Sequence, residues 1–181
     1  RKDNNCDFED TDYLRMIVKK TCWYTCIQHI RIGAMIGSNG KVDVEQFNRF
    51  GYFMGTAFQI QDDILNLIAD EKKYGKEIAG DIVEGKRTLM LIHLLKNCTP
   101  NERTRIQSFL ADTHNEANIH EAVWILKLMK KYKSIEHSRS TAKYMAGAAL
   151  KEFYTIFSKL PVSKDKKFIE DLIIYMINRD Y

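Results

Sequence analysis

The chain has 181 residues, 45% of them apolar, and a formal net charge of +4. This is enough for one sizeable core and excludes a disordered chain, while mild charge spread as mixed Lys and Glu is no nucleic-acid footprint. No apolar run reaches the roughly 18 residues of a membrane span, and Cys6, Cys22, Cys26 and Cys98 lack zinc or secretory spacing, so reduced thiols and a cytoplasmic location are expected.

The opening RKDNNCDFED is polar and reads as a lead-in loop. From Thr11 to Ile36 apolar residues recur at helical spacing, with Thr11 as the expected N-cap and Gly37, Asn39 and Gly40 as the stop. Asp43 to Gln46 has the form of a capping box, opening a long helix that carries Phe47, Phe50, Met54, Phe58, Leu65 and Ile68. Residues 70–87 are charged and hold three glycines, so an irregular stretch is expected there. Helical spacing resumes at Thr88, and Thr99-Pro100-Asn101-Glu102 supplies a cap, a proline at the first position and a Glu three after the cap. Further helices fit 117–132, 134–159 and 163–178. No strand-type alternation appears, so the expected class is all-α.

Within the long helix, FQIQDDILN (58–66) sets two adjacent carboxylates among apolar residues. Gln59, Asp62 and Asn66 lie three and four apart, hence on one face, while Asp63 sits about 100° around. Hard oxygen donors on a rigid element suit Mg²⁺ and are too poor in His and Cys for zinc. The following segment adds Lys76 after Gly75 and Lys86-Arg87 after Gly85, with Asp81 between. Carboxylates for a metal, then Gly-Lys and Gly-Lys-Arg, read as a metal–phosphate site, although no Walker-type nucleotide loop is present. His29, His93, His114, His120 and His137 are scattered and read as surface or core residues.

FQIQDDILN followed by YGKEIAGDIVEGKRTL resembles the second aspartate-rich region of the trans-type polyprenyl synthases, which include farnesyl and geranylgeranyl diphosphate synthases. KKTCWYT (19–25) resembles that family's Lys-Thr helix, and FIEDLIIYMINRDY resembles the C-terminal helix of its short-chain members. The resemblance implies the isoprenoid-synthase-type helical bundle, with residues 1–181 as the C-terminal half of one all-helical domain. It implies condensation of an allylic prenyl diphosphate with isopentenyl diphosphate and Mg²⁺ as cofactor, in a homodimer or in a pairing with the absent N-terminal half. By matching motif positions, Asp62 would bind the metal, with Asp63, Asp81 and Asn66 close to it. Lys20, Lys76 and Lys86 would hold the diphosphate, and Thr21 and Gln59 would face the reacting carbon. Tyr24 is a weaker nomination, one α-helical turn beyond Thr21, and Phe58 is read as core packing.

Two departures follow from the same comparison. Where the family motif ends in Asp, this chain has Asn66, so weaker or more selective metal binding is expected. The family's first aspartate-rich motif has no counterpart here. A class I terpene cyclase would need Ser or Thr, then Glu, at four-residue steps from Asn66, where Asp70 and Tyr74 stand. A non-catalytic, regulatory subunit of the same fold is the other alternative, and it gives no reason to keep Lys20, Asp62, Lys76, Asp81 and Lys86 together. A generic helical interaction module would have no diphosphate affinity.

Overall fold

The computed structural model describes residues 7–68, 80–111 and 119–178, and every regular element among them is helical. Helix α1 (Asp10–Ile17) runs directly into a π-helix (Val18–Ile27) and then α2 (Gln28–Gly37). A 3₁₀ turn (Val44–Gln46) leads into the long α3 (Phe47–Ile68). The short α4 (Gly80–Val83), α5 (Leu89–Asn97), α6 (Pro100–Ala111), α7 (Ile119–Lys131), α8 (Ser134–Ile156) and α9 (Lys164–Asn178) follow.

The helix starts follow from local chemistry. Thr88 Oγ1 accepts from Leu91 N–H, and Ser163 Oγ accepts from Lys166 N–H at 3.1 Å. Thr99 and Glu102 form the reciprocal box: Glu102 N–H donates to Thr99 Oγ1 at 3.3 Å, and Thr99 N–H donates to Glu102 Oε2 at 3.0 Å. Thr11, the expected first cap, is instead inside α1. The helix starts one residue earlier because the Asp12 carboxylate accepts the Glu9 N–H at 3.0 Å, and Asp10 and Asp12 suit the positive end of the helix. At Asp43 the side chain accepts from Glu45 N–H, while the Gln46 amide donates to the Asp43 carbonyl rather than accepting from its N–H. A 3₁₀ first turn results. Helix α2 closes in a left-handed residue, Asn39 at φ 52°, with Gly40 N–H returning to Met35 O at 2.8 Å.

The chain divides into two compact units. Among the described residues, one comprises 7–13, 62–68, 80–111 and 119–139; the other comprises 14–61 and 140–178. The first is centred on α5, where Leu89, Met90, Leu91, Ile92, Leu94 and Leu95 are all buried. Both α4 and α5 pack against α7, which contributes Ala122, Ile125, Leu128 and Met129. In the second unit α3, α8 and α9 share a core of Phe50, Met54, Ala57, Ala146, Ala149, Phe153 and Ile173. The Phe50, Phe153 and Phe157 rings lie 5.0–6.3 Å apart in tilted and edge-on pairs. Phe58 packs against this core, as expected.

Candidate functional site

The π-helix carries the Lys-Thr segment, where an ordinary α-helix was expected. Its i→i+5 ladder is wider than 3.6 residues per turn, and burial follows the wider repeat. Ile17, then Thr21 and Cys22, then Cys26 and Ile27 face inward, while Lys20 and Tyr24 are exposed, Tyr24 at 73%. Three residues on a π-helix no longer complete a turn, so Tyr24 does not share the face of Thr21. Its carbonyl instead pairs with His29 Nδ1 at 2.8 Å.

What seats this segment is a glycine pair on α3. A Cβ on Gly51 would stand 2.6 Å from Ile27 Cγ1, and one on Gly55 would stand 2.8 Å from Cys22 Cα. The two backbones therefore touch with no side chain between them. Cys22 Sγ lies 3.6 Å from both the Tyr52 carbonyl and Thr56 Oγ1. One turn further along α3, Thr21 Oγ1 donates to Gln59 Oε1 at 2.6 Å. The two residues expected beside the reacting carbon are thus bonded to each other, and close backbone approach is what brings them together. Burial pushes the Cys22 thiol pKa up and raises Cys26 to about 12, helped by Cys22. Neither thiol is a ready nucleophile.

In the other unit the far end of α3 meets the segment after it. Asn66 Oδ1 accepts the Asp81 N–H at 3.0 Å, so the amide caps the start of α4. The turn after α4 carries Gly85, which is left-handed at φ 65°. Gly85 N–H returns to Ile82 O and Lys86 N–H to Asp81 O, both at 2.9 Å. This reversal turns Lys86 back on its own helix, where Nζ is bonded to the Asp81 carboxylate and lies 3.1 Å from Glu84. Burial lowers the Lys86 pKa, but the bonds to Asp81 and Glu84 outweigh it and the net shift is upward. Arg87 Nη1 donates to the Gly85 carbonyl at 2.5 Å, and the guanidinium lies over Phe8.

Asp62 is half-buried on the face it shares with Gln59 and Asn66. Asp63 points elsewhere: it is buried and accepts a 2.8 Å bond from the Tyr13 hydroxyl. Lys76 lies outside the described residues. Among the described residues no three His, Cys, Asp or Glu side chains are grouped to hold a metal. The donors present still fit magnesium, which takes only one or two carboxylates and completes its shell with water and phosphate oxygens. Asp62 and Asp81 are such carboxylates, and the cluster has no soft ligand. Tyr13 was missed in the sequence because it reads as one more ring in an amphipathic helix, fifty positions from its partner.

Residues 1–129 match the polyprenyl synthetase family model. A short chain isoprenyl diphosphate synthase of Methanocaldococcus jannaschii is 35% identical over 94% of this chain and 49% of its own length. The crystal structure of a geranylgeranyl pyrophosphate synthetase from Pyrococcus horikoshii superposes with a TM-score of 0.73 at 31% identity, over 97% of this chain and 51% of that one. A Corynebacterium glutamicum geranylgeranyl pyrophosphate synthase, solved with isoprenyl diphosphate and magnesium, shares the fold with a TM-score of 0.72 at 22% identity, over 88% of this chain and 44% of that one. The chain spans about half the length of the relatives it matches.

Proposed function

This chain belongs to the polyprenyl synthetase family, and from that premise we propose that it serves a short-chain prenyltransferase joining an allylic diphosphate to isopentenyl diphosphate. In that reaction the allylic C–O bond breaks with its electron pair on the diphosphate. The isopentenyl double bond then supplies the pair for the new C–C bond, and loss of a proton restores the alkene. The barrier lies in separating a carbocation from a multiply charged anion, so fixed charges on the anion are the main catalytic resource. Magnesium, when bound, would neutralise the departing diphosphate, with Asp62 as its principal carboxylate and Asp81 and Asn66 beside it.

The chain's own residues do the rest. Lys20, Lys76 and Lys86 bind diphosphate oxygens, and Lys86 stays fully protonated because its pKa is raised. Thr21 and Gln59 present oxygen dipoles to the cation, held in place by their mutual bond. The observation that most supports this reading is the Asn66–Asp81–Lys86 linkage, which folds the two halves of the aspartate-rich motif onto each other. Family membership also supports a homodimer in the cytoplasm, and no helix among the described residues is long and apolar enough to cross a membrane.

The test is calorimetric titration of the full chain with a non-ionising allylic thiolodiphosphate, with and without Mg²⁺. Magnesium-dependent binding is expected, weakened roughly tenfold, or about 1.4 kcal/mol, by Asp62→Asn and also weakened by Lys86→Met. Absence of magnesium-dependent binding in the unsubstituted chain overturns the assignment, as does binding that Asp62→Asn leaves untouched.

A further inference from the structure

Among the described residues the Lys86 ammonium meets two carboxylates, and they are placed differently. Asp81 is 6% exposed and bonded to Nζ directly. The Glu84 side chain is 58% exposed, with Oε2 3.1 Å from the same nitrogen. Backbone bonds hold these residues in one turn: Glu84 N–H donates to Gly80 O at 2.8 Å, and Lys86 N–H to Asp81 O at 2.9 Å. With that turn closed and Asp81 engaged, the lysine is oriented without help from Glu84. Nor does it need a second carboxylate to stay charged, since an ordinary lysine titrates far above neutral pH. What Glu84 adds is a second anion on the nitrogen that a diphosphate would use.

We propose that Glu84 competes with the diphosphate for the Lys86 ammonium, taking it back as the diphosphate leaves and so limiting the affinity for inorganic pyrophosphate. This rests on the reading of Lys86 as a diphosphate ligand and deepens it by giving a neighbour the task of release. An ammonium has three donors, and two of Lys86's are directed at carboxylates, so a phosphate oxygen must contend for them. Asp81 is buried and fixed, whereas Glu84 is exposed enough to swing into water and return. The pair it breaks in doing so is a surface ion pair, worth little but not nothing. Holding a spent diphosphate more tightly would not speed the reaction, so a standing competitor costs the chemistry nothing.

The experiment titrates the full chain with inorganic pyrophosphate in Mg²⁺, by calorimetry for affinity and by stopped flow for dissociation. It compares the unsubstituted chain with Glu84→Gln, Lys86→Met and the double variant. Glutamine keeps the shape and removes the charge. Glu84→Gln is expected to tighten pyrophosphate binding roughly threefold, the size of an exposed ion pair, mostly through slower dissociation. Glu84 has interactions beyond Lys86, and the double variant separates them: in the Lys86→Met background the gain should disappear. Glu84→Ala, which also removes the charge, carries the same expectation if Glu84→Gln fails to fold.

Weaker binding after Glu84→Gln overturns the proposal, because Glu84 would then orient Lys86 instead of competing for it. Unchanged binding overturns it as well. So does a gain that persists undiminished beside Lys86→Met, which would place the effect on another contact of Glu84. If Lys86→Met weakens pyrophosphate binding while Glu84→Gln brings no gain, the functional reading stands and the competition alone is lost. If Lys86→Met leaves the affinity unchanged, or the unsubstituted chain binds no pyrophosphate in Mg²⁺, the reading of Lys86 falls and the competition falls with it.

Discussion

At position 55 the chain has no room for a methyl group. A Cβ there would meet Cys22 backbone at 2.8 Å, and backbone cannot rotate aside as a flexible side chain would. Gly55→Ala is therefore expected to destabilise the fold by about 1–3 kcal/mol through overpacking, read by urea unfolding. It should also weaken binding of the allylic analogue, since Thr21 and Gln59 meet one turn from the contact. A variant with unchanged stability would show that the π-helix does not rest on this glycine. In the sequence Gly51 and Gly55 look only like weak spots in a helix. Their meaning depends on the segment opposite, which local pattern cannot reveal.

Helix ends were legible because a cap is chemistry between near neighbours: Thr88, Thr99 and Ser163 each accept from the backbone three residues on. The shared face of Gln59, Asp62 and Asn66 was legible from helical spacing alone. The π-helix was not, because an i→i+5 ladder is chosen by packing, and the four-to-five-residue repeat from Ile17 to Ile27 passes for a loose α pattern. The Asn66–Asp81 and Tyr13–Asp63 bonds join elements whose approach is tertiary: Asn66, Asp63 and Asp81 stood out as oxygen donors, but their partners in the fold did not. His93 was expected to be incidental, yet it joins α5 to the start of α8. Its Nδ1 pairs with Ser134 Oγ at 3.0 Å, and its ring stacks on His137 at 4.3 Å. Burial first, then His137 and Lys96, lower its pKa below the ordinary 6.5, with Asp10 opposing. As pH falls through 6.5 the unfolded chain takes up this proton before the folded one, so the folded state loses stability on acidification and is unaffected above that value. Thermal midpoints should fall between pH 7 and pH 5, and His93→Gln should flatten that slope. An equal slope in the variant would assign the acid sensitivity to other groups.

At the scale of the whole molecule, the chain crosses between its two compact units inside α1, inside α3 and inside α8, without an intervening loop. Much apolar surface stays in water. Helix α2 buries none of its residues, leaving Ile32, Met35 and Ile36 exposed, and Phe168 and Tyr175 are exposed on α9. Large uncovered apolar patches mark surfaces that associate. Sedimentation of the full chain is expected to show species larger than a monomer, and Ile36→Glu is expected to shift them toward the monomer. A monomer at every concentration would mean that this surface tolerates water unaided.

The wide ladder between Val18 and Ile27 couples residue count to pitch. Delete one exposed residue, Thr25, and the segment can tighten to ordinary pitch with Ile27 still seated on Gly51. Five residues at about 100° each sweep nearly the angle that six sweep on the wider ladder, so the threonine hydroxyl would still face its glutamine. Thr25→Ala, which keeps the count, would leave that pair intact as well. A chain one residue shorter there would reach the same pairing through an ordinary helix.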